Sequence, residues 1–351
     1  MIARRIRGLF WAILTSSCLG GESEGGPSRF EFAETSMGSR FKIVLYCADG
    51  PAARSASRAA FARIAALDAT FSDYQPESEL MRICARAGGP PVPVSQDLFD
   101  VLDRSRAMYE RSGGAFDVTI APVGRLWRRA RRDRKLPDPE RLARARALVG
   151  SDRMRLDPTA RTVQLLEPGM RIDLGAIAKG YAADEALAAL RRHGITRALV
   201  AGSGDIVVGD PPPDAAGWTI GIAPLDAPEA APRKFLLVKN AAVSTAGDSA
   251  RFVEIGGRRY SHIIDPKTGL GMVEHCSVTV VARDGATADA LDTTVYILGP
   301  EAGLPLVESL GAAAYIVRDQ GQGVQVFESR RIEEFLTTRP KSATEPTILR
   351  P

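Results

Sequence analysis

Residues 171–183 constrain the fold of this chain more than any other stretch. An acidic residue, Asp173, ends a short apolar segment, Gly175 follows at once, and a run of small residues with one lysine, Lys179, comes next. The run continues as an Ala/Leu-rich segment up to Gly194, which predicts a helix with a glycine stop. The stretch therefore predicts a strand, a tight turn and a helix of small residues.

This turn has the chemistry of a phosphate site. A helix start leaves backbone N–H groups unpaired, and these groups favour phosphate oxygens. Small side chains let a ligand approach the backbone, and Lys179 supplies a point charge. Ordinary packing of a strand on a helix, with Lys179 solvated, is the alternative interpretation of this stretch taken alone.

Length and charge define the class of protein. With 351 residues, the chain can bury a large core in one large domain or in two. A hydrophobic content of 45% and a charged content of 25% are typical of a globular protein. The 46 basic and 42 acidic residues give a net charge of +4, too small an excess to indicate nucleic-acid binding. We find no nucleic-acid motif and expect no such partner.

The N-terminal eighteen residues have the features of an export signal. A basic start (4–7) and an apolar segment (9–14) precede small residues and Cys18, and the apolar segment is too short to span a bilayer. This cysteine resembles a bacterial lipoprotein processing site, although Thr15 stands where an aliphatic residue is usual. We expect export, a lipid anchor on Cys18 at the periplasmic side of a membrane, and a flexible tether over 19–29. Cleavage near an incidental Cys18 is the alternative.

Three further cysteines, Cys47, Cys84 and Cys276, do not have the spacing of a metal motif. Since their number is odd, they permit at most one disulfide bond. We expect that none is required and that these side chains are buried as small hydrophobic groups.

Hydrophobic periodicity predicts a chain of mixed strands and helices. Strands are predicted over 41–46, 154–156, 162–166, 170–174, 198–209 with a break at 202–205, 218–223, 234–238 and 277–282. Helices are predicted over 52–71, from Ser95 to about 112, over 176–193 and over 287–298. The polar segment 337–351 contains three prolines and predicts a disordered tail. No repeat or internal linker divides the chain into separate domains.

Residues 125–135 hold seven basic residues in eleven positions. Such a patch can steer a polyanionic ligand or attach to an anionic membrane surface. A solvated helix or loop face is the alternative.

The predicted helix 287–298 carries a candidate cation site. Oxygen ligands spaced i, i+4 lie on one helix face, so Asp289 and Thr293 can share a cation. Magnesium keeps few protein ligands and takes the rest from water and phosphate, so a carboxylate, a hydroxyl and a backbone carbonyl would suffice. For this pair alone, a capped or solvated helix start is the alternative.

Taken together, eight short motifs resemble, in order, those of the FAD:protein FMN transferases. The resemblance extends from about residue 30 to 336. The eight motifs are Met37-Gly38-Ser39, Phe71-Ser72-Asp73-Tyr74, Gly114-Ala115-Phe116-Asp117, the run from Asp173 to Ala182, Gly204-Asp205, the run from Ser244 to Asp248, the run from His262 to Gly269, and the run from Ala288 to Thr293.

The resemblance implies a single α+β domain over 30–336, a mixed α/β architecture of the flavin-transferase (T-fold-like) kind with FAD in a cleft between strand-end loops. It implies an enzyme that binds FAD and a divalent cation, normally magnesium. Such an enzyme joins the FMN half of FAD to a Thr or Ser hydroxyl of an acceptor protein and releases AMP.

The resemblance also assigns residues by position. The residues expected to contact FAD are Met37, Tyr74, Ala115, Phe116, Asp117, Asp173, Lys179 and Ile263. The implied magnesium ligands are the backbone carbonyl of Ala176 and the side chains of Asp289 and Thr293, with Asp292 in support.

We assign catalytic roles to Asp289, as a cation ligand, and to His262, one of three histidines. His262 is the candidate to deprotonate the attacking hydroxyl or to position phosphate. A structural role, the ordering of loop 262–269, is the alternative. Tyr74 and Phe116 can pack on flavin or adenine faces.

Two positions depart from the family pattern and put substrate fit in doubt more than reaction type. Ser203 stands where many relatives carry a second glycine, and Ser249 stands where an aromatic residue is common. Two other functions are open: hydrolysis of FAD to FMN and AMP, and flavin binding without catalysis in a lipoprotein. Asp289 and Thr293 argue against mere binding, because storage of FAD would not need a cation on its pyrophosphate.

Overall fold

The computed structural model describes residues 26–338, except 228, 250, 320 and 322, together with residues 347–349. The helices of this part of the chain are α1 (Gly50–Phe71), α2 (Glu79–Ala85), α3 (Gln96–Arg111), α4 (Ala121–Asp133), α5 (Pro139–Arg146), α6 (Ala178–Arg192) and α7 (Gly285–Ser309). The strands are β1 (Ser28–Ser36), β2 (Ser39–Cys47), β3 (Val92–Pro93), β4 (Met154–Asp157), β5 (Thr162–Leu165), β6 (Ala198–Gly202), β7 (Asp205–Val208), β8 (Trp218–Ile222), β9 (Lys234–Val238), β10 (Ala241–Gly247), β11 (Phe252–Ile255), β12 (Arg258–Ser261), β13 (His275–Ala282), β14 (Ala313–Asp319), β15 (Val324–Glu328), β16 (Leu336–Thr337) and β17 (Thr347–Leu349).

An antiparallel sheet of eight strands organises the fold, in the order β1-β2-β6-β7-β10-β13-β14-β15. Successive side chains of a strand point to opposite faces. In β2, Phe41 and Ile43 accordingly belong to the core on one face, whereas Val44 belongs to the core on the other. Both faces are apolar, so both must be covered by other elements.

Helices cover one face of this sheet and a second sheet covers the other. The core on the helical side contains residues of α1, α6 and α7. On the opposite side, Leu199 and Val243 pack with Trp218 and Leu236 of a four-stranded sheet in the order β16-β9-β8-β17. The fold class is therefore α+β, as predicted, with a layer of helices, the large sheet and a smaller sheet.

Helices α6 and α7 lie backbone against backbone where Gly180 meets Gly285. A Cβ atom added to Gly180 would lie 2.1 Å from the carbonyl oxygen of Gly285, so glycine permits this approach. The Asp184 carboxylate accepts hydrogen bonds from the backbone N–H groups of Gly285 and Ala286, at 2.7 and 3.0 Å. The first turn of α7 is thereby fixed on α6. Gly299, with φ 72°, interrupts α7 further along.

Most predicted elements are confirmed, and their ends have identifiable causes. Asp49 caps α1 by accepting from the backbone N–H of Ala52, and Ser95 caps α3 as predicted. The predicted break at 202–205 is the turn between β6 and β7. The helices α2, α4 and α5 were not predicted.

The predicted strand 170–174 is wrong. Met170, Ile172 and Leu174 are buried at alternate positions, as a strand would have them. However, Arg171 forms only an isolated bridge to Ile120, and the backbone N–H of Asp173 donates to the carbonyl oxygen of Val118 at 2.7 Å. The segment therefore runs beside a loop and joins no sheet.

The two ends of the chain lie largely outside the described residues. The predicted export segment and most of the tether belong to 1–25, and most of the predicted tail belongs to 339–346 and 350–351. Within that tail, β17 pairs in parallel with β8. In the described part of the chain, no helix has the length and apolar character needed to cross a membrane. Cys84 and Cys276 are buried, Cys47 is partly buried, and all three are free thiols.

Candidate active site

A cleft opens between the starts of α6 and α7, the turn between β6 and β7, and the segment after β12. Its lining contains the sequence-predicted residues Tyr74, Ala115, Phe116, Asp117, Asp173, Ala176, Lys179, His262, Ile263, Asp289 and Thr293. Met37 does not line the cleft. It lies in the turn between β1 and β2, where its backbone N–H donates to the Asp68 carboxylate at 2.8 Å.

Lys179 and three buried carboxylates, Asp205, Asp289 and Asp292, form what we call the cleft floor. The Nζ atom of Lys179 lies 2.5 Å from Oδ2 of Asp205 and 3.7 Å from Oδ1 of Asp289. Oδ2 of Asp289 accepts a hydrogen bond from the backbone N–H of Gly180 at 3.0 Å, so the start of α6 contacts the second turn of α7. The close approach of the two helices thus brings lysine and carboxylates together.

Ser244 of β10 joins two of these carboxylates. Its Oγ atom lies 2.6 Å from Oδ1 of Asp205 and 2.6 Å from Oδ2 of Asp292. Two such short oxygen–oxygen contacts need two protons, and a hydroxyl group carries one. A proton on one of the two carboxyl groups can supply the second.

The pKa values of the floor agree with this count of protons. Burial, together with the neighbouring Asp205, raises the pKa of Asp289, and burial together with Asp289 raises the pKa of Asp292. Burial alone would disfavour the ammonium group of Lys179, but Asp205 and Asp289 raise its pKa above the ordinary value. Three carboxyl groups therefore share one lysine, and with all three ionised the floor would carry more negative charge than Lys179 can balance.

This donor set fits a hard divalent cation. One oxygen from each of Asp205, Asp289 and Asp292 lies within 4.8 Å of the others, and all three residues are buried. The Thr293 hydroxyl and the backbone of Ala176 line the same cleft. Carboxylate, hydroxyl and carbonyl oxygens are the donors that magnesium takes in proteins.

The carboxylate of Asp117 is used within the protein. Its Oδ1 accepts from the backbone N–H and the hydroxyl of Thr119, at 2.8 and 2.6 Å, and from the Ser151 hydroxyl at 2.7 Å. Its Oδ2 accepts from the backbone N–H of Ser151 at 3.1 Å. The side chain therefore orders the loop that presents Ala115 and Phe116 to the cleft.

Asp173 and Tyr74 lie at the rim of the cleft, on either side of Arg128. Burial and the neighbouring Asp73 raise the pKa of Asp173, which accepts from the backbone N–H of Gly175 at 2.9 Å. Tyr74 is 76% exposed, and the guanidinium of Arg128 lies 5.2 Å from its ring centre. An exposed aromatic ring of this kind can pack on a planar ligand.

His262 is held as a neutral base. Its Nδ1 atom lies 3.2 Å from the carbonyl oxygen of Arg251. Because a carbonyl oxygen only accepts, the ring proton belongs on Nδ1, and Nε2 keeps its lone pair. Burial of the ring, with Arg251 beside it, lowers the pKa of His262 to about 4.

The loop after His262 is anchored from helix α4. The indole N–H of Trp127 donates to the carbonyl oxygen of Gly269 at 2.8 Å, and the backbone N–H of Gly269 donates to the carbonyl of Asp265 at 2.8 Å. Trp127 therefore anchors this loop, and the anchored loop fixes the position of His262 at the cleft. The anchoring contacts are not made by His262 itself.

Sequence reasoning missed several residues of the cleft. Asp205 and Ser244 belonged to recognised motifs but were not assigned to the site. Arg128 and Arg131 belonged to the predicted basic patch 125–135 but were not placed in the cleft, and Arg251 was not predicted. The signal for Asp205 was its place after a strand break, since polar residues at strand ends often carry function.

Comparisons with known proteins identify the family of this chain. A family model described as the ApbE family matches residues 37–316. The chain is 32% identical over 314 residues to the FAD:protein FMN transferase of Treponema pallidum, with 84% of this chain and 86% of that protein covered. It is 29% identical over 307 residues to the FAD:protein FMN transferase of Klebsiella pneumoniae, with 86% and 87% covered.

Among solved structures, the apo form of the flavinyl transferase ApbE of Pseudomonas stutzeri is similar to this chain. Its TM-score is 0.79 at 30% sequence identity, and the similarity covers 89% of this chain and 98% of that one. All the cleft residues named above lie within the part of the chain that the family model matches.

Proposed function

The chain belongs to the ApbE family and is a flavin transferase, and from this premise we propose the details of its reaction. In the proposed reaction, the enzyme transfers FMN from FAD to a Thr or Ser hydroxyl of an acceptor protein through a phosphoester bond, and AMP is released. The observation that carries the proposal is the cleft floor, where three buried carboxylates share one lysine at the start of a helix.

The floor supports binding of the pyrophosphate of FAD together with magnesium. The residues that would hold the ion are Asp289, Thr293 and the carbonyl of Ala176, with Asp205 and Asp292 close by. A bound magnesium ion would offset the charge that develops on the phosphate oxygens during transfer. At the N-terminus of α6, the backbone N–H groups of Ala178 and Gly180 donate to the carbonyl oxygen of Leu174 and to the Asp289 carboxylate, so of these first three amides the N–H of Lys179 is the candidate donor to phosphate.

In the proposed step, the acceptor hydroxyl oxygen forms a bond to the phosphorus of the FMN half. The bond between this phosphorus and the oxygen of the AMP phosphate breaks, and its electron pair leaves on AMP. The hydroxyl proton moves to Nε2 of His262, which the lowered pKa keeps free of a proton near neutral pH. Lys179 holds Asp205 and Asp289 in place beside the reacting phosphates.

The flavin and adenine groups of FAD need apolar and aromatic surfaces. Phe116 and Ile263 are buried in the cleft wall, and Tyr74 is exposed at the rim. These residues, with Ala115 and Asp173, are the proposed contacts of FAD. Met37 lies outside the cleft lining, so we propose no contact for it.

The test is an incubation of the purified full chain with FAD, magnesium and a candidate acceptor protein. A gain of one FMN in the mass of the acceptor, with AMP in solution, is the expected result. Free FMN with AMP would instead indicate hydrolysis of FAD, and unchanged FAD would indicate binding alone.

A matched pair of variants tests the floor. Asp289→Ala should lower FMN transfer by at least about a hundredfold, because it removes a proposed ligand of the magnesium ion that would offset charge on the reacting phosphates. Asp103→Ala removes an exposed carboxylate of α3 and should leave transfer unchanged. Full activity of the Asp289 variant would refute the metal assignment.

We also propose that the chain is exported and anchored to a membrane through a lipid on Cys18, on the periplasmic side. This proposal is supported by the N-terminal sequence, in which basic residues are followed by an apolar segment and then by small residues before Cys18. Metabolic labelling with a radioactive fatty acid should mark the full chain, and Cys18→Ser should abolish the label. Equal labelling of both forms would exclude this anchor.

A further inference from the structure

Helix α4 has one buried face and one strongly basic face. Val123, Trp127 and Ala130 are buried in a small core that they share with Val253 and Tyr260 of the β11–β12 hairpin. Because residues three and four apart lie on one side of a helix, the arginines between these positions point away from this core. The core therefore explains how α4 is oriented, but it does not explain why the outer face of α4 carries so many arginines.

These arginines, with one of α5, form a surface that we call the arginine face. It consists of Arg125, Arg129, Arg132 and Arg141, which line one shallow depression together with Leu126 and Arg128. Residues 125–146 contain ten basic and three acidic residues. The sign of the charge is thus nearly uniform over the whole face.

Most of this charge has no counterion within the protein. Arg132 pairs with Asp133 at 2.8 Å. Among the residues that the structure describes, no carboxylate or hydrogen-bond partner contacts the guanidinium groups of Arg125 and Arg141, and Arg129 interacts with Asp133 at longer range than an ion pair. Like charges at positions i and i+4, as in Arg125 and Arg129, destabilise a helix. The arrangement opposes stability, which is expected of a surface that meets an anionic partner.

The arginine face is continuous with the mouth of the cleft. Arg128 lines both the cleft and the depression of the arginine face, where it also donates to the Asp73 carboxylate at 2.9 Å. Arg131 also lines the cleft and has no ion-pair partner within the described part of the chain. Burial and the nearby Arg128 and Arg251 lower its pKa, as expected for crowded positive charges.

We propose that the arginine face is the docking surface for an acidic segment of the acceptor protein, which it aligns so that a neighbouring Thr or Ser hydroxyl enters the cleft. This inference rests on the proposed transfer of FMN to a protein hydroxyl. It adds the chemistry of the partner, a run of carboxylates, and the side of the cleft from which the partner approaches.

Two other anionic partners fit the geometry less well. A membrane bound to the arginine face would cover the cleft at Arg128, where the acceptor must enter. FAD has its phosphate chemistry at the cleft floor, and Arg125, Arg129 and Arg141 do not line the cleft. An acidic protein segment can occupy the arginine face and still reach the cleft.

The experiment compares two double variants with the same change of charge. Arg125→Glu with Arg129→Glu reverses two arginines of the arginine face. Arg54→Glu with Arg58→Glu is the control, since these arginines are also exposed, unpaired among the described residues and four positions apart, on helix α1. Far-UV circular dichroism establishes that each full-chain protein is folded.

Three probes are titrated into each protein. The first is a short fluorescein-labelled peptide of Asp, Glu and one Thr, with an Asn/Gln peptide as its neutral counterpart, followed by fluorescence anisotropy. The second is FAD, followed by its own fluorescence. The third is a set of phosphatidylcholine vesicles with and without phosphatidylglycerol, followed by sedimentation.

We expect the acidic peptide to bind the wild-type protein and the control variant with equal affinity. At low salt it should bind the arginine-face variant about tenfold more weakly, because two arginines that attract its carboxylates are replaced by glutamates that repel them. Salt should reduce this difference, and FAD should bind all three proteins equally. Equal peptide binding by both double variants would overturn the proposal. So would a parallel loss of FAD binding, or a loss restricted to phosphatidylglycerol vesicles.

The proposed function fails separately from this inference. A wild-type chain that releases no AMP from FAD, while its peptide binding still depends on Arg125 and Arg129, would refute the transfer reaction but not the acidic-peptide surface. A chain that transfers FMN equally well after reversal of both arginines, at low concentrations of an acidic acceptor, would refute the docking role alone.

Discussion

Replacing Gly180 by alanine should destabilise the protein, although alanine is the better helix former. In a free helix, the change from glycine to alanine stabilises by up to about 1 kcal/mol. Here the added Cβ would lie 2.1 Å from the Gly285 carbonyl oxygen and 2.9 Å from Cβ of Asp289. The first of these neighbours is backbone, which cannot rotate away as a side chain can.

The size of the effect follows from these contacts. Overpacking of this kind destabilises by about 1–3 kcal/mol, and we take the upper end because backbone is involved. After the gain in helix propensity is subtracted, a loss of about 2 kcal/mol remains. With an unfolding entropy of about 2.1 cal/mol/K per residue over roughly 310 residues, Tm should fall by about 3 °C.

Thermal unfolding followed by circular dichroism measures this change, and Gly124→Ala is its control. Gly124 also lies inside a helix, but its added Cβ would have its nearest neighbour at 3.9 Å. That variant should therefore raise the stability by about 0.5–1 kcal/mol. If Gly180→Ala raised Tm as much as Gly124→Ala, helices α6 and α7 could not lie as close as described.

The same substitution should also impair function below the unfolding temperature. Helices that move apart separate Lys179 on α6 from Asp289 on α7, which are now 3.7 Å apart. FAD turnover should then fall in a protein that is still folded. Gly285→Ala, which meets the Gly180 carbonyl oxygen at 2.4 Å, should have the same two effects from the other side.

Three further predictions concern single residues. Burial and Arg251 lower the pKa of His262 to about 4. The rate of FMN transfer should therefore fall at low pH with a midpoint near pH 4, and this fall should be absent in His262→Gln. A midpoint near 6.5, the ordinary pKa of histidine, would contradict the proposed base. Burial raises the pKa of Asp184 from 3.8 to about 7, so between these values the unfolded chain binds fewer protons and the free energy of unfolding should fall as pH rises. Urea titrations at several pH values should show a flatter profile for Asp184→Asn, and an unchanged slope would refute this assignment. Ser203→Gly should raise the stability by up to about 1 kcal/mol, because Ser203 has φ 60°; a lower Tm would show that its side chain stabilises the turn.

The sequence predicted elements whose signals are local. Alternation in β2 and the Ala-rich spacing of α1 and α6 predict their own structure, and the Ser95 cap predicts where α3 begins. Segment 170–174 has the same alternation as a strand, yet it has no ladder partner. Whether an extended segment finds a neighbouring strand depends on the rest of the fold, which a local pattern does not contain.

The cleft shows the same division between local signals and the tertiary fold. The spacing of Asp289 and Thr293 on one helix showed that they could share a cation, and the family resemblance assigned them to it. Asp205 joins them only because β7 lies next to β10 in the sheet and α7 packs on both. The arginine face was visible as a basic run, but only the packing of Trp127 shows which side of α4 faces outward.

The hydrogen bond between the Gly180 amide and the Asp289 carboxylate has a consequence for biosynthesis, because it joins residues 109 positions apart. The contact between Trp127 and the loop at Gly269 spans 142 positions. Contacts of such high sequence separation form late and slow the folding of a domain. A nascent chain therefore holds no completed nucleotide pocket until α7 has been synthesised and docked, and chains truncated before this helix should not sequester FAD.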